Sequence, residues 1–369
     1  RRAHSASIAG WAVTLAAVAG PFWDARSPRW SGDSIFFTAS APRELPGLYV
    51  VQSAAEKRVE RVSRRNNTGA FGFAHGQVVY AQLDFTDPYR LLSSLYIGDR
   101  HIKGTERLAS PDARADGAIV AVQASDGCAR LVLLDASGTQ WRALNAQDPD
   151  VQWSAPRWSR RGDRIAAIRW MRGGESDVVV LDTLGVVLAS YARVRAVQSH
   201  PSWDANDRAL YFTSDRVSRS AIFRVPLGGA DSASVEEVYR DPLGVYDAEV
   251  SPAGTLIAAF RFTPEGPELI VFGTRSFEPR PVAGQSVFAA GTSDTIVRAS
   301  GVVRHYSALR TLVPRYWVPT FGTSSRSSAL PGFHTSGLDV VGRYALAAEG
   351  AWDVKTGEFY GDGSFTYSG

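Results

Sequence analysis

The 369-residue chain has one cysteine, Cys128. No intrachain disulfide can form, and cysteine-based zinc knuckles and thiol redox pairs are excluded. A core of this size needs no covalent staple, so cysteine usage leaves the periplasm open and does not decide the compartment. Lysine is scarce beside arginine, and the formal net charge is only +3. The arginines are scattered along the chain, which argues against a nucleic-acid surface. Beyond the first twenty residues no apolar run reaches the length of a membrane-spanning helix. Apolar stripes at three- and four-residue spacing with convincing caps are lacking too, so the chain reads as strands.

Catalytic signatures are equally scarce. No Gly-x-Ser-x-Gly elbow occurs, and Ser293 and Ser336 read as ordinary loop serines. There is no His-Glu-x-x-His, and His4, His75, His101, His200, His305 and His334 are isolated from one another. Gly173, Gly174, Gly228 and Gly229 lie between strand-like runs and open no helix, which makes them turns and not phosphate loops. Asp84, Asp87 and Asp99 fit no calcium loop and read as solvated turn carboxylates. The expectation is therefore no catalytic residue, no metal and no cofactor.

What the chain does have is a recurring phrase: an aromatic anchor, a turn built on Gly or Asp, then an alternating apolar run. It occurs as Pro28, Arg29, Trp30, Ser31, Gly32, Asp33 before Ile35, Phe36 and Phe37, and as Pro156, Arg157, Trp158, Ser159, Gly162, Asp163 before Ile165. A third strong copy is Pro201, Ser202, Trp203, Asp204 and Asp207 before Leu210, Tyr211 and Phe212. Weaker copies centre on Gly72, Ala113 and Val250. The six anchors are spaced by roughly 41 to 47 residues, the length of a propeller blade. The fold class this implies is all-β: a six-bladed β-propeller over residues 21–281, with four antiparallel strands per blade.

Residues 48–51, 95–98, 131–135, 178–182, 222–227 and 269–272 are read as the third strands. Gly and Asp supply the positive φ that two-residue hairpins need, and each Trp fills the wedge between adjacent blades. Residues 1–20 combine Arg1 and Arg2, an apolar run and small residues, as a signal peptide does. Trp11, Val13, Leu15 and Val18 also suit a strand, favoured here, that leads into the first blade or closes the last.

The phrase stops near Pro281. Residues 282–305 read as a connector, and residues 306–369 as something different. From Asp339 onward two alternating runs flank a turn at Asp353, Lys355, Thr356 and Gly357, with aromatic residues near the strand ends. That is the weak signature of an outer-membrane β-barrel. Only two or three such strands fit before residue 369, so the segment is expected to be the start of a truncated barrel, with the missing initial Met suggesting a fragment at the other end as well.

The one constellation worth keeping as a site is Arg29, Arg157, His200 and Glu249. These residues occupy or neighbour corresponding positions of the inner strands, where one side chain near each anchor points into the central channel. A mixed-charge channel mouth of this kind suits gripping a peptide or loop.

The runs Pro156–Ile165 and Pro201–Arg216, which carry Pro-x-Trp-Ser, Gly-Asp and Ser-Asp-Arg elements, resemble the TolB-like propeller repeat. Departures are a shortened first copy after Trp30, a second copy without its Trp, and Ala113 in the Trp position of the third. Residues 306–317 and the strands after them are similar to the start of a surface-antigen type outer-membrane barrel. The resemblance implies a bacterial envelope protein in the periplasm and outer membrane, whose propeller face holds a protein or peptide partner and no nucleic acid. The alternative is the substrate-selecting propeller of a larger peptidase whose catalytic domain lies outside this chain. A soluble propeller with an extra β-tail is the third arrangement.

Overall fold

The computed structural model describes residues 7–8, 11–12, 16–41, 45–52, 58–64, 69–87, 90–135, 138, 141–228, 234–282, 306–324 and 328–368. The chain divides into two compact units, Arg1–Thr292 and Ser293–Gly369.

The first unit is all-β, built from four-stranded antiparallel sheets that follow one another along the chain and fit a propeller. The first sheet is Asp24–Ser31, Ser34–Ser40, Gly47–Val51 and Val59–Arg64. The second is Phe71–Ala74, Gln77–Asp87, Arg90–Ile97 and Arg100–His101, and the third is Leu108–Ala113, Ile119–Ser125, Cys128–Leu134 and Trp141–Ala143. Val151–Trp158, Arg164–Met171, Glu175–Asp182 and Val187–Val194 make the fourth. The fifth is Gln198–Trp203, Ala209–Ser214, Ala221–Pro226 and Glu236–Arg240, with Arg280–Pro281 added at its outer edge.

The sixth sheet takes only three strands from its own stretch of chain, Val245–Val250, Leu256–Thr263 and Gly266–Gly273. Its fourth is Ala16–Ala19, which pairs antiparallel with Gly266–Gly273. The apolar stretch near the start of the chain therefore divides: Trp11–Ala12 pairs locally with Ser7–Ile8, and the residues after it complete the last sheet. Each of the six runs read as third strands falls on a third strand, three of them passing its end by one residue, at Gly98, Asp135 and Leu227.

Local chemistry explains the sheets. Period-two alternation gives each strand two faces, and Gly32, Gly76, Gly162 and Gly254 adopt positive φ at the turns between first and second strands. Apolar clusters join each sheet to the next, and one joins the sixth to the first, with Phe37 and Phe260 rings 5.7 Å apart. Each fully buried Val, Leu, Ile or Phe in these clusters is worth about 1.5–3 kcal/mol of transfer free energy, so the sheet faces are held mainly by one another. The anchors behave as wedges: Trp30 Nε1 donates to the Glu249 carbonyl at 3.1 Å, and Trp203 Nε1 to the Arg157 carbonyl at 3.1 Å, each reaching the preceding sheet around the ring.

The second unit, by itself, is one open antiparallel meander: Val318–Thr323, Ala329–Leu338, Tyr344–Trp352 and Phe359–Tyr367. A single helical turn, Leu309–Leu312, precedes it and is the one α-helix among the described residues. No closed barrel is present among the described residues. The turn read at Asp353 is formed, with Asp353 Oδ1 accepting the N–H groups of Lys355 and Thr356 and Gly357 at φ 74°.

Candidate functional site

First strands of successive sheets touch from the second sheet through the sixth and on to the first, so residues turned inward from them meet one another. A repeated backbone device does the turning. In five sheets the pairing of first and second strands slips, between Arg26 and Arg29, Ala109 and Asp112, Ser154 and Arg157, Ser199 and Ser202, and Tyr246 and Glu249. Each slip holds one non-glycine residue in the left-handed region: Ser27, Ser110, Ala155, His200 and Asp247, at φ 49–55°. In four of the five the next residue is proline, which has no N–H to leave unpaired in the gap. The residue after that faces the axis, and the anchor beyond it faces the neighbouring sheet.

Contacts between sheets that are not neighbours establish the convergence. Arg29 of the first sheet donates through Nη2 to Asp112 Oδ1 of the third at 2.8 Å. Arg157 of the fourth donates through Nη2 to Glu249 Oε2 of the sixth at 2.6 Å, and its Nε lies 3.6 Å from Asp112 Oδ2. Asp112 Oδ2 also accepts the Trp158 N–H at 2.7 Å, and Gly72 leaves room for it, because a Cβ there would come within 3.0 Å of Asp112 Oδ1. His200 Nε2 lies 3.3 Å from Arg157 Nη1. Arginine has no acceptor, so this nitrogen accepts, and the network assigns the imidazole proton to Nδ1, which faces Asp247 Oδ2 at 3.7 Å. Asp247 in turn accepts the Ser27 N–H at 3.0 Å.

The four residues singled out in the sequence are thus brought together as a buried plug: Arg29, Arg157, His200 and Glu249 are all at most 8% exposed. Asp112, Asp247 and the exposed Arg160, whose Nη2 is 3.7 Å from Glu249 Oε1, complete the cluster and were missed. The signal for two of them was in the repeat: Asp112 occupies the register of Arg29 and Arg157, and Asp247 that of His200. Three guanidiniums face three carboxylates. Burial pushes the Glu249 carboxyl up, but Arg157, Arg29 and Arg160 together outweigh it and hold it down to about 2. Burial and the neighbouring Arg157 guanidinium lower Arg29 to about 10, which leaves it a cation at neutral pH. Burial, helped by Arg157, lowers His200 against the pull of Asp247, so the imidazole is neutral at pH 7.

Above the plug, where the first strands end, opens a cavity of about 520 Å³. Arg29, Arg114, Arg157, Arg160 and Arg161 line it, against Asp112, Asp116 and Glu249. Arg160 and Arg161 are fixed by their backbone N–H groups, which donate to the buried Asp207 carboxylate at 2.7 and 3.0 Å. Arg114 lies 4.9 Å over the Trp158 ring. Among the described residues no hydroxyl or thiol hydrogen-bonds to His200, whose contacts are Arg157 and Asp247. Of the remaining sequence candidates, His75 sits in a turn at φ 48°, His101 is exposed, and His334 is 3.8 Å from Glu349 in the second unit. Asp84 accepts the Tyr96 hydroxyl, and His4, His305 and Ser293 lie outside the described residues.

The chain matches no protein-family model and no curated protein. Among solved structures it is similar to an oligogalacturonate lyase in complex with manganese, at 13% identity and a TM-score of 0.46 over 65% of this chain and 73% of that one. It is similar to TolB from Acinetobacter baumannii at 12% identity and a TM-score of 0.45, covering 92% and 81% of the two chains. A prolyl endopeptidase matches at 13% identity and a TM-score of 0.43, with 94% of this chain spanning 50% of that one. The fold and the site rest on this chain's own sheets and contacts.

Proposed function

We propose that this chain is a non-catalytic protein-binding propeller of the bacterial cell envelope, its six blades on the periplasmic side and its C-terminal strands part of an outer-membrane barrel. The axial plug supports a binding role: rigid, charge-paired and roofed by an open cavity, it offers a preformed surface and no reactive group. A side-chain-filled axis suits docking better than the passage of substrate to a peptidase.

The observation that carries the envelope assignment is the two-faced sheet of the second unit. Its register puts Phe321, Trp352 and Phe359 in one row at one end of a face, and Tyr344 and Tyr367 in a row at the other. Leu346, Phe365, Ala348 and Gly363 lie between these rows, and Phe333 and Phe359 lay their rings over Gly350. The opposite face carries His334, Glu349 and Asp362 in one row and Ser336, Ala347 and Ser364 in the next. Every residue of Phe359–Tyr367 is exposed. An apolar band flanked by aromatic rows and backed by a polar face is what a lipid-facing barrel wall requires, and three of the four strands, of 9 or 10 residues, have the length to span it, the first having six.

Ala347 and Ala348 are adjacent and point to opposite faces, which makes them a matched test. Ala348→Arg places a guanidinium near the middle of the lipid face, at a cost of about 2–4 kcal/mol, whereas Ala347→Arg places it on the polar face. With the full chain expressed in a Gram-negative host, wild type and Ala347→Arg should stay in carbonate-washed outer membranes while Ala348→Arg is depleted. Equal behaviour of the two variants, or release of wild type by the wash, would overturn the barrel.

A further inference from the structure

We propose that the arginine-lined cavity above the axial plug is a carboxylate-binding site, and that its occupant is an acidic peptide segment of a protein partner; this rests on the protein-binding role proposed above. Five guanidiniums and three carboxylates line the cavity, so cationic charge is in excess. An imbalance of hydrogen-bonding groups points the same way. Arg29 Nε, Arg157 Nε and Trp158 Nε1 are buried side-chain atoms without a hydrogen-bond partner, all three belong to residues of this cavity, and all three are donors. Among the described residues no buried, unpartnered side-chain acceptor lines it. Arg29, Arg157 and Trp158 are each more than nine-tenths buried.

The accessible guanidiniums are prepared for such a ligand. Arg161 is the most open, its side chain 67% exposed, while Arg114 and Arg160 stand partly exposed beside it. Asp207 fixes the backbone beneath Arg160 and Arg161. Arg114 is already committed, Nε and Nη2 to Asp116 and Nη1 to the Gly162 carbonyl, so the mostly exposed Arg161 is the fork a ligand carboxylate reaches. A guanidinium on a backbone held in place loses less entropy when it takes a carboxylate. The cavity volume falls within the range of sites that enclose an organic ligand and exceeds what a small inorganic anion fills.

The carboxylate can come from Glu or Asp side chains or from a chain terminus, and the probes separate these sources. Fluorescein-labelled peptides of alternating Glu and Ala with an amidated C-terminus, their Gln counterparts, and the Gln peptide with a free C-terminal carboxylate are titrated by anisotropy against the full chain. Binding by either carboxylate peptide and none by the Gln amide is the expected result. Arg161→Gln should weaken binding by roughly tenfold, as loss of a charge-assisted hydrogen bond does. Arg172→Gln, an exposed guanidinium outside the cavity, should leave it unchanged. Binding indifferent to Glu against Gln, an Arg161→Gln variant that binds as wild type, or displacement of the peptide by stoichiometric inorganic phosphate would each overturn the proposal. A photo-crosslinker at position 161 separates its failure from that of the wider role. A protein crosslinked there while the acidic peptides fail to bind leaves the docking face and removes the carboxylate; no crosslink and no peptide binding removes both.

Discussion

Trp158 and Trp203 occupy the same position in consecutive sheets, and the fate of the indole N–H separates them. Both are buried, and each ring carries a guanidinium at 4.9 Å, Arg114 over Trp158 and Arg164 over Trp203. Trp203 Nε1 donates to the Arg157 carbonyl, whereas Trp158 Nε1 has no hydrogen-bond partner. Replacing either by Phe removes a few tens of Å³ of packed volume, which at ~24 cal/mol per Å³ costs about 1 kcal/mol. The loss of cation–π attraction is similar in both and cancels in the comparison. Trp203→Phe also leaves a buried carbonyl short of a donor, worth about 1–3 kcal/mol, while Trp158→Phe removes a donor that was already unsatisfied. In the ligand-free protein Trp203→Phe should therefore be the more destabilising by about 1–3 kcal/mol. Urea unfolding of the full chain in its solubilising detergent, followed by far-UV circular dichroism because the substitutions alter indole fluorescence, reads this as a difference in midpoint at unchanged slope. Variants equal within about 0.5 kcal/mol, or in reversed order, would refute the assignment of the wedge hydrogen bond as the deciding contact.

Glu249→Gln leaves Arg157 and Arg160 without their shared counter-charge, and breaking such a buried pair should cost about 3–5 kcal/mol. Because the native Glu249 carboxyl is held at about 2, its stabilisation is complete above the ordinary carboxylate value of 4.5 and is lost as pH falls from there toward 2. Urea midpoints between those pH values should fall less steeply for Glu249→Gln than for wild type; identical slopes would show that Glu249 is not the acid-sensitive group. Deleting residues 1–20 removes the strand that completes the sixth sheet, including Val18 at 2% exposure, and should cost about 2–5 kcal/mol. An unchanged melting temperature would rule out Ala16–Ala19 as a closing strand.

The strands were legible because each obeys a local rule: alternation fixes the face, glycine or aspartate fixes the turn, and Trp30, Trp158 and Trp203 fix the phase of the repeat. The borrowed strand was legible only in part, since Ala16–Ala19 earns its place through Leu269, Ile270 and Val271, some 250 residues away. The axial site divides the same way. Arg29, Arg157, His200 and Glu249 could be read from repeat register, but their partners could not, because Arg29 meets Asp112 and Arg157 meets Glu249 across the ring, 83 and 92 residues apart. Asp112 is followed by Ala113 and not by Trp, and Asp247 by Ala248 and not by Pro, so the copies that supply the missing carboxylates are those whose signature is weakest. Burial was hidden for a related reason: a charged residue reads as solvated until its counter-charge is found.

The left-handed kink in the first strands has an evolutionary consequence. The backbone decides that the residue two places on points inward, and in the five kinked sheets that position carries Arg29, Asp112, Arg157, Ser202 and Glu249. The axis is in effect a short word written with one letter per repeat, and a single codon change rewrites a letter without moving a strand. The grammar is electroneutrality, because a letter that adds a charge must be answered by another elsewhere in the word. Related chains can therefore keep the same scaffold and diverge in what they hold, by paired substitutions at sites far apart in sequence that no local comparison would connect.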